Sequence, residues 1–245
     1  MLAAKGRSCT GLAPVADVTP HAIISYDDTP GDHDALALGR LLGDAGAELT
    51  LAYVRHASHA ETDRELLAEH EAAILLECGA RRLDDPYVER RVVLSASTAE
   101  GLGWLAEHER ADLIVFGSDY RTPAGRVSVG RSTQPLLDRG RAAVAIAPAA
   151  YGSVPEVSVD KIGVLSGSAD EAAIETAFSL ASRLGAKVVD GDHGVGLLVV
   201  GSRAEAPEAH VTISSRSRNA IDEARCPVVV VARGVPLRFD TLVTV

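Results

Sequence analysis

Residues 113–148 read LIVFGSDYRTPAGRVSVGRSTQPLLDRGRAAVAIAP, and residues 197–232 read LLVVGSRAEAPEAHVTISSRSRNAIDEARCPVVVVA. The two stretches align without a gap, in a register that superposes Gly117 on Gly201. A weaker match lies upstream, where Ile23 aligns with Ile162 and Leu41 aligns with Leu180. Self-similarity of this kind is the signature of a repeated unit. The chain is therefore predicted to be a tandem of two related units.

The two units differ in length. In the first unit a long stretch, after Val54 and before Leu113, separates the two matched blocks, and the second unit lacks most of it. The predicted division is an N-terminal extension (1–20), a first unit (21–149), a linker (150–159), a shortened second unit (160–236) and a C-terminal tail (237–245).

Apolar runs alternate with helical periodicities along both units. Strands are predicted at 22–26, 48–54, 88–94, 113–116, 142–147, 162–165, 197–200 and 228–232, and helices at 33–45, 61–77, 98–108, 131–139, 170–184 and 216–224. Apolar strands joined by helices are typical of a parallel sheet covered on both faces. The predicted fold is α/β, with two tandem doubly wound, Rossmann-like units of which the second is truncated.

One segment of the second unit does not fit this scheme. Only residues 191–196 separate the apolar pair Val188-Val189 from the strand that begins at Leu197. Parallel crossovers usually need a dozen residues or more. Residues 186–190 are therefore predicted to form a short edge ribbon or part of the crossover, and not a full parallel strand feeding the next one.

Composition excludes several classes of protein. The net charge is −10 and the pI is about 5.3, which argues against non-specific binding to nucleic acid or to an anionic membrane. No apolar run is long enough to span a bilayer, and residues 1–20 do not resemble a signal peptide. Cys9, Cys78 and Cys226 form no CxxC pair, so we expect a cytoplasmic protein without a disulfide framework or zinc site.

In its order of elements, internal duplication and motif positions, the chain resembles the universal stress protein family. The strand end Tyr26-Asp27-Asp28-Thr29 matches the acidic strand end of that family. The family pattern Gly-x2-Gly-x9-Gly-(Ser/Thr) maps onto Gly117, Tyr120, Gly130 and Arg131, so two of its four positions match. In the family this glycine-rich loop holds the phosphates of a nucleotide. Tyr120 stands in place of one of its glycines, and the tyrosine side chain could crowd the space for the phosphates.

The resemblance implies a site for ATP or a related adenine nucleotide in the first unit, with Mg²⁺ entering only together with the nucleotide. Glycine-rich loops before helices hold phosphates because their N–H groups converge on the anion. The implied nucleotide-binding residues are Asp27, Thr29, Val54, Gly117, Ser118, Gly130, Arg131, Ser132 and Thr133. In the second unit the pattern maps onto Gly201, Ala204, Ser214 and Ser215, and we expect no nucleotide there.

Each implied residue also has a structural explanation, because Gly117 could simply end a strand and Asp27 could cap a helix or stabilise a turn. Three functions therefore stay open: a stress-response binding module, a ligand-free tandem scaffold acting through protein contacts, and an adenine-nucleotide hydrolase or transferase. We expect no enzyme, because Asp27 alone is a candidate acid or base. No resident metal is expected either, since the acids near His33 are typical of a helix N-terminus.

The resemblance also implies a partner arrangement. Family members pair through their last strands, so residues 142–147 and 228–232 are expected to pair within the chain as an internal pseudo-dimer. Such pairing would cover two apolar strand edges. A further homodimer stays open, and no nucleic acid or membrane partner is expected.

Overall fold

The computed structural model describes residues 19–56, 62–154, 158–165 and 171–239. The strands are β1 (His21–Ser25), β2 (Glu48–His56), β3 (Glu89–Ser95), β4 (Leu113–Gly117), β5 (Ala143–Ala147), β6 (Lys161–Val164), β7 (Lys187–Asp190), β8 (Leu197–Gly201) and β9 (Val228–Val231). The helices are α1 (Pro30–Asp44), α2 (Thr62–Leu83), α3 (Thr98–Glu109), α4 (Gln134–Arg139), α5 (Glu171–Leu184) and α6 (Ser215–Glu223). Within these ranges, no helix has the length and apolar character needed to cross a membrane.

The strands form one sheet of nine, in the order β3-β2-β1-β4-β5-β9-β8-β6-β7. All neighbours are parallel except β5 and β9. Side chains from α1, α2 and α5 fill the core on one face, and those from α3, α4 and α6 fill the core on the other. The prediction of a doubly wound α/β fold is confirmed.

The centre of the sheet joins the two halves of the chain. β5 and β9 run antiparallel, and Ala145 lies opposite Val229. Both strands are wholly buried, so the predicted pairing of the two last strands is present and covers both apolar edges. Outward from this pair, the order β9-β8-β6-β7 mirrors the order β5-β4-β1-β2.

The prediction for residues 186–190 is correct in one part and wrong in another. β7 is a short strand at the sheet edge, as expected, but it lies parallel to β6 and connects to β8 through residues 191–196 alone. This connection crosses β6 at Gly163, where a Cβ atom would lie 2.3 Å from the carbonyl oxygen of Gly191. A glycine and two four-residue strands therefore allow a crossover that the usual length rule excludes.

The C-terminal tail contributes to the core. Leu237 and Phe239 are almost completely buried. Their N–H groups donate to the hydroxyl oxygens of Thr176 (2.9 Å) and Ser179 (2.7 Å) on α5. The tail therefore packs along α5, and Arg183 of the same helix donates to the carbonyl of Ala45 in the first half of the chain (2.9 Å).

Candidate functional site

The carboxyl ends of β1, β2 and β4 meet at one edge of the sheet. Ser25 lies level with Ala52, and Ile24 lies level with Val115. Continued past the end of β1, these registers bring Asp27 level with Val54 on one side and with Ser118 on the other. Ligands of open α/β sheets bind beyond the carboxyl ends of strands, so this edge is the candidate site.

Thr29 is the N-cap residue of α1. Its hydroxyl accepts from the N–H of Asp32 (3.3 Å), while Asp32 accepts from the N–H (2.9 Å) and the hydroxyl (2.6 Å) of Thr29. This reciprocal capping box satisfies two groups at the helix start. Thr29, which the family resemblance implies as a nucleotide contact, therefore has a structural role.

Asp27 has a different environment. Its N–H donates to Asp32 (3.0 Å), but its carboxylate makes no hydrogen bond with any described residue. Burial, followed by the nearby charge of Asp32, raises the pKa of Asp27 above its ordinary value, although His56 opposes the shift. A carboxylate without a protein partner at a strand end is available to accept hydrogen bonds from a ligand.

Asp28, the residue after Asp27, belongs to a cluster of polar and charged side chains next to α1 and α2. Asp28 has a left-handed backbone with φ of 53°. Its carboxylate accepts from Tyr26 (2.8 Å), lies 3.0 Å from the His33 ring nitrogen and faces Arg82 at 3.8 Å. The hydrogen bonds from His33 and Tyr26 lower the pKa of Asp28. The Asp28 carboxylate is therefore paired with protein side chains, and Asp27 is the acid that stays available.

Val54 offers its backbone to the candidate site. The last bond between β1 and β2 runs from the N–H of Tyr26 to the carbonyl of Ala52 (2.9 Å). Peptide groups alternate in direction along a strand, so those of Val54 point to the same side, beyond the end of β1. Among the described residues they have no backbone partner there. A donor and an acceptor lie together at this point, as the edge of a purine base requires.

Gly117 and Ser118 are explained by packing. A Cβ atom at Gly117 would lie 1.8 Å from the carbonyl oxygen of Gly31, so only glycine allows β4 and the start of α1 to meet. Ser118 is buried, and its hydroxyl donates to the carbonyl of Ala147 (2.7 Å) and accepts from the N–H of Ser128 (3.2 Å). Both residues are needed for contacts around the loop after β4, and the Ser118 hydroxyl is not free for a ligand.

Tyr120 does not fill the entrance of the loop after β4. That side chain is 76% exposed, and the guanidinium of Arg121 lies 5.0 Å from the ring centroid. Tyr120 lines a cavity of about 420 Å³ together with Gly31 and His33, next to the first turn of α1. The substituted glycine position therefore does not close the loop.

The end of the loop exposes consecutive donors. The N–H groups of Thr133 and Gln134 both donate to the carbonyl of Gly130 (3.1 and 3.0 Å), and they are not available to a ligand. The N–H groups of Gly130, Arg131 and Ser132 have no acceptor among the described residues. Arg131 is exposed, and its guanidinium makes no ion pair with any residue that the structure describes.

α4 begins at Gln134 and not at residue 131 as predicted. Thr133 is almost completely buried. It stands at the N-cap position of α4 without a side-chain capping bond. Among the residues implied as contacts here, Gly130, Arg131 and Ser132 therefore have N–H groups without an acceptor in the described part of the chain, whereas Thr133 is buried.

The second half repeats the bonds of this loop at the aligned positions. The Ser202 hydroxyl donates to Val231 (2.8 Å) and accepts from the N–H of Thr212 (3.2 Å), as Ser118 does with its own neighbours. Two further bonds cross between the halves. Val127 donates to Ala224 (3.1 Å), and Val211 donates to Gly140 (2.7 Å). This exchange is the pattern expected across a two-fold axis.

The model of the universal stress protein family matches residues 21–148. The chain belongs to the universal stress protein family. A universal stress protein from Archaeoglobus fulgidus DSM 4304 has a similar fold, with a TM-score of 0.65 at 13% identity over 87% of this chain and 98% of that one. A Pseudomonas aeruginosa UCBPP-PA14 protein named for the same family reaches 0.60 at 12% identity over 88% and 94%. None of the curated proteins matches the chain.

In this universal stress protein, two of the acids that the sequence analysis assigned to a helix N-terminus support the site through contacts that it did not predict. Asp32 closes the capping box, and the spacing Thr29-x-x-Asp32 was a readable signal for it. Asp34 is buried and accepts from the N–H groups of Ala150 and Gly152, both at 2.8 Å, but no local pattern indicates partners so distant in sequence. No group of three His, Cys, Asp or Glu side chains in the described ranges is placed to hold a metal ion.

Proposed function

We propose that the first half of this chain binds ATP or a related adenine nucleotide and acts as a stress-response binding module without turnover. The observation that carries the proposal is a set of three consecutive N–H groups, at Gly130, Arg131 and Ser132, that have no acceptor among the described residues, together with the exposed Arg131 side chain. Converging N–H groups and a guanidinium are the donors that phosphate oxygens prefer.

The other end of the site supports the same ligand. The peptide groups of Val54 suit the edge of an adenine base, and the carboxylate of Asp27 suits the hydroxyl groups of a ribose. Extending the register of β1 and β2 by two residues places Asp27, beyond the end of β1, level with Val54 in β2. The proposed contacts narrow the implied set to Asp27, Val54, Gly130, Arg131 and Ser132, while Mg²⁺ would enter with the phosphates.

We also propose that residues 160–236 are a shortened second copy that binds no nucleotide. The repeated bonds of Ser118 and Ser202 and the mirrored strand order support this reading. β7 has four residues where β2 has nine, so the base-binding edge is missing. The copy would serve as an attached partner that covers β5.

We place the protein in the cytoplasm, since Cys78 and Cys226 are unpaired thiols.

Titration calorimetry with ATP, with and without Mg²⁺, tests the site. Arg131→Ala is expected to weaken binding about tenfold to a hundredfold, because a charge-assisted hydrogen bond is lost. Arg216→Ala is the matched control, since Arg216 is exposed near the start of α6 in the second half. Equal affinity of the wild type and the Arg131 variant would refute the phosphate contact.

A ligand-free scaffold is the second candidate function. It is favoured by one specific observation, namely that Thr29, Gly117 and Ser118 have complete structural roles without a ligand. Absence of heat on titration with ATP under both conditions would favour the scaffold over the nucleotide site.

A further inference from the structure

β3 is the longer of the two edge strands of the sheet, with seven residues against four in β7. Its inner side bonds to β2 through the register that places Val92 beside Tyr53. By the alternation of peptide groups, those of Arg90, Val92 and Leu94 point outward. Among the described residues no strand covers this side, and the one bond to an outward group comes from Arg91 to the carbonyl of Arg90 (3.1 Å).

Charge on this edge is confined to the first three residues of β3, and the exposed side chains that follow them are apolar. Val92 is 45% exposed and Leu94 is 57% exposed. On α2, Glu77 pairs with Arg90 and fixes the helix beside the strand, and Ile74, one helical turn before Glu77, is 50% exposed. Natural edge strands are usually protected by charged side chains, proline, bulges or short length. β3 has charged residues only in its first half, and it has no proline or bulge.

We propose that this edge is an interface at which β3 pairs antiparallel with β3 of a second copy of the chain. Outward groups face outward groups only if the two-fold axis passes through a residue. Centred on Val92, the pairing places Val92 opposite the partner's Val92, Arg90 opposite the partner's Leu94 and Glu89 opposite the partner's Ser95. Every residue of the strand is then paired.

The charges of the strand select this register. Centring on Arg91 or on Arg90 would oppose two identical arginines across the axis, which destabilises a strand pair. Centring on Val93 would leave Glu89 and Arg90 without partners. In the Val92 register no like charges face each other, and the aliphatic stem of Arg90 covers the partner's Leu94. The edge is therefore self-complementary in apolar surface and opposes no like charges.

Sedimentation velocity over increasing protein concentration tests the interface. We expect the wild type to sediment as a dimer and Val92→Lys to sediment as a monomer, because one substitution opposes two ammonium groups at the axis. Leu94→Lys is a second variant on the same edge. The matched control is Ile174→Lys, since Ile174 is 45% exposed on α5, distant from β3, and its loss should leave the dimer intact.

A mixture of two variants tests the register itself. Val92→Lys and Val92→Glu should each be monomeric alone and form a heterodimer when mixed. Circular dichroism of each variant checks that the fold is intact. A wild type that stays monomeric, a dimer that survives Val92→Lys, or a mixture that does not associate would each overturn the proposal.

Discussion

Replacing Gly117 with alanine should destabilise the fold strongly, although the residue lies in a motif associated with nucleotide phosphates. The added Cβ atom would stand 1.8 Å from the carbonyl oxygen of Gly31 and 2.4 Å from its carbonyl carbon. Both atoms are backbone, so relief requires β4 and the start of α1 to separate by more than an ångström. Overpacking of this kind costs about 3 kcal/mol, which lowers the Tm of a chain of this length by about 6–12 °C.

Gly130→Ala is the matched control for this substitution. The nearest atom to its added Cβ would be the hydroxyl oxygen of Thr133 at 3.9 Å, and Gly130 does not have a positive φ. Thermal unfolding followed by circular dichroism should therefore place Gly130→Ala within about 0.5 kcal/mol of the wild type. If Gly117→Ala unfolds at the wild-type temperature, the close approach of β4 and α1 is wrong.

Three further predictions concern stability. Ser118→Ala and Ser202→Ala should each cost about 1–3 kcal/mol in urea unfolding, because equivalent buried bonds are lost; a loss in only one of them would contradict the repeated geometry. Asp27→Asn should raise the Tm at neutral pH, because the raised pKa means that the folded protein favours the uncharged group. This gain should disappear below the ordinary pKa of 3.8, where Asp27 is protonated in both states, and a gain that persists there would refute the cause. Phe239→Ala should cost about 3–5 kcal/mol, and calorimetry showing a loss below about 1 kcal/mol would show that the tail does not belong to the core.

Much of the fold was predictable because its signals are local. Apolar runs identify most strands closely, and the family resemblance of the repeated blocks implied that the last strands pair. The crossover after β7 was not predictable from length alone. It depends on the absence of a side chain at Gly163. A glycine inside a strand does not indicate which backbone segment passes over it.

The candidate site was predictable in position but not in the role of each residue. The motif indicated the loop after β4 as the candidate phosphate site, but Gly117 and Ser118 are needed for contacts with Gly31 and Ala147, which are distant in sequence. A pattern of residue types cannot separate a glycine that admits a phosphate from one that admits a helix. Only the tertiary contacts distinguish these residues from Gly130, whose neighbourhood is open.

The most direct test of the nucleotide proposal is the content of the purified protein. The full chain would be denatured and the supernatant separated by ion-pair chromatography with mass detection. We predict ATP, ADP or AMP in a stoichiometric amount from the wild type and a reduced amount from Arg131→Ala, while Arg216→Ala retains the wild-type amount. A wild-type protein without nucleotide that also shows no heat with ATP and Mg²⁺ would contradict the account.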